Sequence, residues 1–283
     1  MKAWMDGKMV DFKDAKVSIF NRGFLYGDGL FESMRSYNGK IFKPEEHLAR
    51  LYRSLGAIDI KIPYSKEELT GALYRLLRAN GLRDAYIRIN VTRGEGRLAI
   101  GSRGIFKPTV IIFAKPLTPY PKGMYEKGIN AKVVCIRTNE LSPISRIKSL
   151  SFLNNILARQ EAMRKGFDEA ILMNTKGHIA EAATSSVFLV RGNRLITPSL
   201  ASGILPGVTR RVVLGLAGEA GLKARETFIS YKELTGADEV FLTNSLFEVM
   251  PVVKVDGRKI GRGTVGAKTA LLAAGYKELT NSL

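Results

Sequence analysis

Apolar and polar positions alternate in short runs through the first forty or so residues, and Asp6-Gly7 and Asn38-Gly39 interrupt them as two-residue turns. This stretch reads as strands joined in hairpins. The period changes at Pro44. Glu45 and Glu46 supply a first helical turn, and Leu48, Leu51, Tyr52 and Leu55 share one face, which predicts an amphipathic helix. Residues 66–80 repeat the pattern, with Gly81 as the stop. Two strand-like runs follow, 85–92 and 108–114.

The segment Lys115-Pro-Leu-Thr-Pro-Tyr-Pro-Lys-Gly concentrates three prolines and marks an interdomain linker. The chain then divides into an N-terminal α/β domain (1–115), a linker (116–124) and a larger C-terminal domain (125–283). Beyond the linker the pattern predicts a strand at 129–136, a helix at 151–165 stopped by Gly166, and strands at 169–173 and 186–190. A helix opening at Gly207, strands at 239–243 and 249–255, an Asp256-Gly257 turn and a terminal helix complete it. The fold class expected is α+β in two domains, with no internal repeat.

Composition narrows the functions. With 283 residues, 45% of them apolar, the chain can bury a substantial core. Its longest apolar stretches, such as Val110-Ile-Ile-Phe-Ala, fall far short of the roughly 18 residues of a membrane helix, and Met1-Lys-Ala-Trp-Met-Asp does not read as a signal peptide. A cytoplasmic protein without a membrane partner is expected. The 44 Lys+Arg against 26 Asp+Glu give +18, which admits nucleic acid or small anions as ligands. The cations are scattered, however, and the densest patches, Arg210-Arg211 and Arg258-Lys259 with Arg262, lack interleaved aromatics. Solubilising surface charge explains them better than nucleic-acid binding.

Cys135 is the only cysteine, which excludes an internal disulfide, and strand alternation in Ala131-Lys-Val-Val-Cys-Ile-Arg predicts it as a small buried residue. The two histidines, His47 in a helix and His178 in a Lys-Gly-His turn, form no metal-ligand cluster or triad. No metal is expected, and the chemistry is not expected to run on histidine.

Other motifs carry more. Gly94-Glu-Gly-Arg-Leu-Ala matches a dinucleotide fingerprint in spacing, but Gly101, Gly104 and Pro108 break the helix that it must open, so a glycine-rich loop between strands, presenting Arg97, is expected. Gly203-Ile-Leu-Pro-Gly-Val-Thr-Arg precedes an apolar helix, where unbonded N–H groups and a close-approach glycine suit a phosphate; an ordinary capped loop is the plainer reading. Thr243-Asn-Ser-Leu adds a hydroxyl-rich turn. Glu181 sits among small residues that would let a flat ring approach, and a protonated pyridine nitrogen would partner its carboxylate; a surface glutamate is the alternative. Lys148, in Arg146-Ile-Lys-Ser-Leu-Ser-Phe-Leu-Asn-Asn, would alone pass for a solvated surface lysine. Beside these segments it reads as a Schiff-base lysine.

Together with Arg22-Gly-Phe-Leu-Tyr-Gly-Asp-Gly-Leu-Phe-Glu-Ser-Met-Arg, His47-Leu-Ala-Arg-Leu and Thr243-Asn-Ser-Leu-Phe-Glu-Val-Met-Pro, these segments resemble the class IV, fold-type IV pyridoxal-phosphate enzymes over essentially the whole chain. That family comprises branched-chain and D-amino acid aminotransferases and aminodeoxychorismate lyases. The resemblance implies pyridoxal 5′-phosphate as cofactor, an internal aldimine on Lys148, and a homodimer. It also implies Arg50, Val208, Thr209 and Ser245 on the phosphate, Leu205 against the ring and Glu181 on its nitrogen.

For the substrate, Phe31, Arg35, Tyr86 and Arg88 resemble the branched-chain aminotransferase pocket. Ser33, Phe152, Asn244 and Leu246 depart from it, where those enzymes carry glycine, tyrosine, glycine and alanine. Ser33, the Asn-Ser-Leu turn and Arg97 are closer to the lyase. The resemblance therefore implies transfer of an amino group between a hydrophobic or small amino acid and 2-oxoglutarate. Aminodeoxychorismate lyase, releasing pyruvate, is the alternative, and a basic nucleic-acid-binding protein the remote one.

Overall fold

The computed structural model describes residues 1–96, 100–101 and 106–283. The chain divides into two compact units, one of Met1–Thr118 with Lys148–Phe152 and Leu283, the other of Pro119–Ile147 with Leu153–Ser282.

In the first unit, β1 (Lys2–Met5) and β2 (Lys8–Asp11) form a hairpin, a short α1 (Arg22–Tyr26) follows, and β3 (Gly29–Tyr37) turns into β4 (Lys40–Ile41). Then come α2 (Pro44–Ala57), α3 (Lys66–Ala79), β5 (Ala85–Glu95) and β6 (Lys107–Pro116). Both hairpin turns need two successive positive φ angles, and Asp6-Gly7 (46° and 91°) and Asn38-Gly39 (50° and 85°) supply them. Helix α3 starts where the sequence caps it: the Ser65 hydroxyl accepts from the Glu68 amide and the Glu68 carboxylate accepts from the Ser65 amide. The strands form a six-stranded sheet in the order β2-β1-β6-β5-β3-β4, antiparallel throughout.

This sheet has two unlike faces. Leu30, Glu32, Met34 and Ser36 of β3 are fully buried, as are Ile87, Ile89 and Val91 of β5, on the face that α2 covers. The intervening positions form the other face, where cross-strand register pairs Phe31 with Asn90, Ser33 with Arg88 and Arg35 with Tyr86.

A linear division at the proline-rich segment assigns residues 148–152 to the second domain, but the structure counts them with the first unit. The Phe31 amide donates to the Lys148 carbonyl (2.9 Å), the Leu150 amide donates to the Gly29 carbonyl (3.0 Å), and Ser149 bridges Leu30. These residues lengthen the sheet edge beside β3, a pairing that no local pattern announces.

The second unit contains α4 (Lys122–Lys127), β7 (Ile129–Thr138), α5 (Leu153–Arg164), β8 (Glu169–Asn174), β9 (Ile179–Ala182), β10 (Ser186–Arg191) and β11 (Arg194–Pro198). It continues through α6 (Val208–Leu216), β12 (Lys223–Thr227), α7 (Tyr231–Thr235), β13 (Glu239–Asn244), β14 (Glu248–Val255), β15 (Arg258–Lys259) and α8 (Ala267–Asn281). Its nine-stranded sheet runs β12-β11-β10-β13-β14-β7-β8-β9, with β15 on β14 and parallel pairs at β11/β12, β14/β7 and β7/β8. The core centres on this sheet, where Val187, Leu189, Leu242 and Val255 are almost wholly buried.

Cys135 departs from expectation because it is exposed. Pairing of β7 with β8 shifts register between Val133 and Arg137, and this irregularity breaks the alternation that would have turned the thiol inward. Among the described residues, no helix is long and apolar enough to cross a membrane.

Candidate active site

On the Phe31 face of the first sheet, Lys148 lies half-buried with its Nζ 4.4 Å from the centre of the Phe31 ring and 5.9 Å from that of Phe152. The two rings meet edge to face at 5.5 Å. Arg88 brings its guanidinium carbon to 3.8 Å from the Phe31 ring centre, and its Nε donates to Asn90 Oδ1 (2.8 Å), which fixes the stack. Tyr86 packs against Phe113 at 6.2 Å, and Arg35 lies 4.3 Å from the Tyr37 ring. An amine, aromatic walls and a held cation thus share one surface, with Ser33 opposite Arg88.

Arg50 belongs to the other face. On α2 it stands one turn from His47, and its Nε and Nη2 donate to the two oxygens of Glu32 at 2.7 and 2.8 Å. His47 Nδ1 is 2.8 Å from Glu32 Oε2. Burial pushes Glu32 upward, but the charge and hydrogen bonds of Arg50, with the His47 bond, outweigh it and hold the carboxyl well below the usual range. Burial lowers His47 beyond what Glu32 restores, and the charges of Arg50 and Lys148 lower it further, so the imidazole is neutral near pH 7. Neither Glu32 nor a role for His47 emerged from sequence reasoning. The available signal was an acid within an alternating apolar strand face, with a His-x-x-Arg pair on the next helix.

In the second unit, Glu181 on β9 accepts the Leu205 amide at Oε2 (3.1 Å), so these two predicted residues are brought together. Gly203 adopts φ +80°, and a Cβ there would sit 2.5 Å from Glu140 Cα; only glycine lets the loop pass. Gly207 caps α6 without a side-chain bond, and the first helical bond runs from Arg211 N–H to the Gly207 carbonyl (3.1 Å). The amides of Val208 and Thr209 therefore precede the helix ladder, at its positive end. Arg210 anchors that end from behind, donating to the Pro198 carbonyl (2.8 Å) and Glu226 (2.6 Å).

Ser245 and Leu246 occupy the turn after β13. Asn244 shapes it by accepting the Leu246 and Phe247 amides at Oδ1 (both 2.9 Å) while donating to the Thr184 carbonyl (3.3 Å). The nearby hydroxyls of Thr243 and Ser185 are buried without a hydrogen-bond partner among the described residues. Buried orphan hydroxyls, an uncapped helix start and close-approach glycines suit a polar, phosphorylated ligand such as pyridoxal phosphate. Arg97 lies outside the described residues.

Comparison with known proteins gives the family. The chain is 42% identical over 280 residues to a protein of Methanocaldococcus jannaschii provisionally named as a branched-chain-amino-acid aminotransferase, covering 99% of this chain and 96% of the relative. It is 35% identical to the aminodeoxychorismate lyase of Bacillus subtilis, covering 99% and 95%. The solved branched-chain amino acid aminotransferase of Escherichia coli superposes with a TM-score of 0.95 at 32% identity, covering 99% and 94%. Residues 29–255 match the amino-transferase class IV family, and the chain belongs to that family as a fold-type IV transaminase.

Proposed function

We propose that the protein moves an amino group between a hydrophobic or small amino acid and 2-oxoglutarate. Class IV aminotransferases use pyridoxal 5′-phosphate, and this chain does likewise. When bound, the cofactor supplies the electron sink that makes a substrate Cα–H acidic and carries the amino group between half-reactions.

The observation that carries the reading is the Lys148 amine beside the Phe31 and Phe152 rings, with Arg88 stacked on Phe31. Lys148 would hold the cofactor and would move the proton at the substrate Cα. Phe31, Phe152 and Tyr86 form an apolar wall that excludes water around an aliphatic side chain. Arg88 and Arg35 supply cations for a carboxylate, and Ser33 adds a hydroxyl between the strands. Arg97 completes the set proposed for substrate.

By the family resemblance Arg50 would hold the phosphate, Glu181 would bond the ring nitrogen and favour its protonation, and Leu205 would lie against the ring. The Val208 and Thr209 amides would donate to phosphate oxygens with Ser245. Elimination, the lyase reading to which Ser33, the Asn-Ser-Leu turn and Arg97 are closer, is matched by the more distant of the two relatives cited.

The test is the half-reaction. Holoenzyme mixed with single L- and D-amino acids should lose its visible band and gain the near-ultraviolet absorption of pyridoxamine phosphate. No conversion with any amino acid, together with pyruvate release from aminodeoxychorismate, would overturn the transamination reading.

A homodimer is part of the same reading. In the first unit Ile19 and Phe24 are 68% and 70% exposed, with Phe20 and Tyr26 beside them in sequence; in the second, Leu141 is 79% exposed. Apolar surface of this kind calls for a partner. Light scattering should give about twice the 31.2 kDa chain mass.

A further inference from the structure

We propose that Glu32 is a positioning residue that fixes the Arg50 guanidinium for the cofactor phosphate, with His47 bracing the carboxylate. The inference rests on the proposed role of Arg50. Glu32 is 0% exposed on a strand face otherwise made by Leu30, Met34 and Ser36. Its carboxylate takes the Nε–Nη2 edge of Arg50 in two bonds of 2.7 and 2.8 Å, which fixes the plane of the guanidinium.

A buried ion pair gains little over apolar packing, so stability alone does not account for an acid at this position. Position does. An arginine side chain has several rotatable bonds, and a bidentate carboxylate on a rigid strand removes that freedom. His47, one helical turn from Arg50, holds Oε2 at 2.8 Å and stops the carboxylate from following the arginine outward. The adjacent residue completes the device: the Phe31 amide holds the Lys148 carbonyl (2.9 Å) and its ring lies 4.4 Å from Lys148 Nζ. Two consecutive residues of β3 therefore hold the two groups, Glu32 the Arg50 guanidinium and Phe31 the Lys148 amine.

The experiment titrates cofactor-stripped protein with pyridoxal phosphate and records the ³¹P resonance of the bound phosphate. Glu32→Gln should raise Kd about tenfold and shift the ³¹P signal, and Glu32→Asp should restore part of both. In an Arg50→Lys background, which retains the charge but not the fork, Glu32→Gln should add little. If Glu32→Gln does not fold, Glu32→Asp carries the test through its smaller ³¹P shift. An unchanged Kd and ³¹P signal in the Glu32 variants, or the same loss in the Arg50→Lys background as alone, would overturn the proposal. If Arg50→Lys and Arg50→Ala both leave Kd unchanged, the phosphate role of Arg50 is lost, and the proposal with it.

Discussion

The two units offer different kinds of chemistry. In the first, the groups proposed to act are charged side chains, Lys148, Arg50 and Arg88, and each charge is set by a named neighbour: Phe31, Glu32 and Asn90. In the second, most donors are backbone amides and hydroxyls, set by glycines at Gly203 and Gly207 and by the Asn244 turn. The first unit should therefore respond most to removal of a charge or its partner, and the second to crowding of the backbone.

The largest effect expected is on the first unit. Lys148→Ala should lower transamination by about 10³-fold or more and abolish the visible cofactor band, read by steady-state assay and absorbance. Glu32→Ala should follow. It leaves the Arg50 charge buried without its carboxylate, and denaturant unfolding should show a loss of about 3–5 kcal/mol. For the second unit, Gly203→Ala forces a left-handed φ on alanine and drives its Cβ against Glu140. A loss of about 1–3 kcal/mol is expected, with Lys148 spectroscopy little changed.

Acid sharpens the contrast further. Glu32 is depressed in the folded state, so its contribution is complete above the ordinary glutamate range and is lost as pH falls through its folded value. Asp28 behaves alike: burial raises it, but Arg93 and Arg22 outweigh that effect. Glu32→Gln should flatten the acid limb of a stability-against-pH curve, whereas Ser245→Ala in the second unit should leave that limb unchanged. The smallest effect expected is on cofactor retention in Ser245→Ala, a loss of about 1 kcal/mol measured by pyridoxal phosphate titration.

The same division governs what the sequence disclosed. Asp6-Gly7 and Asn38-Gly39 announce themselves because local backbone geometry demands those residues. The helices α2 and α3 carry their core faces in a 3.6-residue period. Short elements such as α1, α4, β9 and β12 do not, being too brief to establish a period. Cys135 is exposed against the strand alternation because a strand irregularity has no sequence mark of its own. The pairing of Lys148–Phe152 with β3 joins residues over a hundred positions apart, beyond any periodicity.

At the candidate site, Lys148, Glu181 and the segment before α6 stood out through motif order. Glu32 did not, because its significance lies in what α2 places against it: the Arg50 fork and the His47 ring appear only when helix and strand pack.

The central claim is that Lys148 carries the cofactor. Borohydride reduction of the purified holoprotein, followed by peptide mass mapping, tests it most directly. The prediction is one phosphopyridoxyl adduct, on the peptide containing Lys148 and absent from Lys148→Ala; an adduct on another lysine, or none in protein shown to contain pyridoxal phosphate, would contradict it.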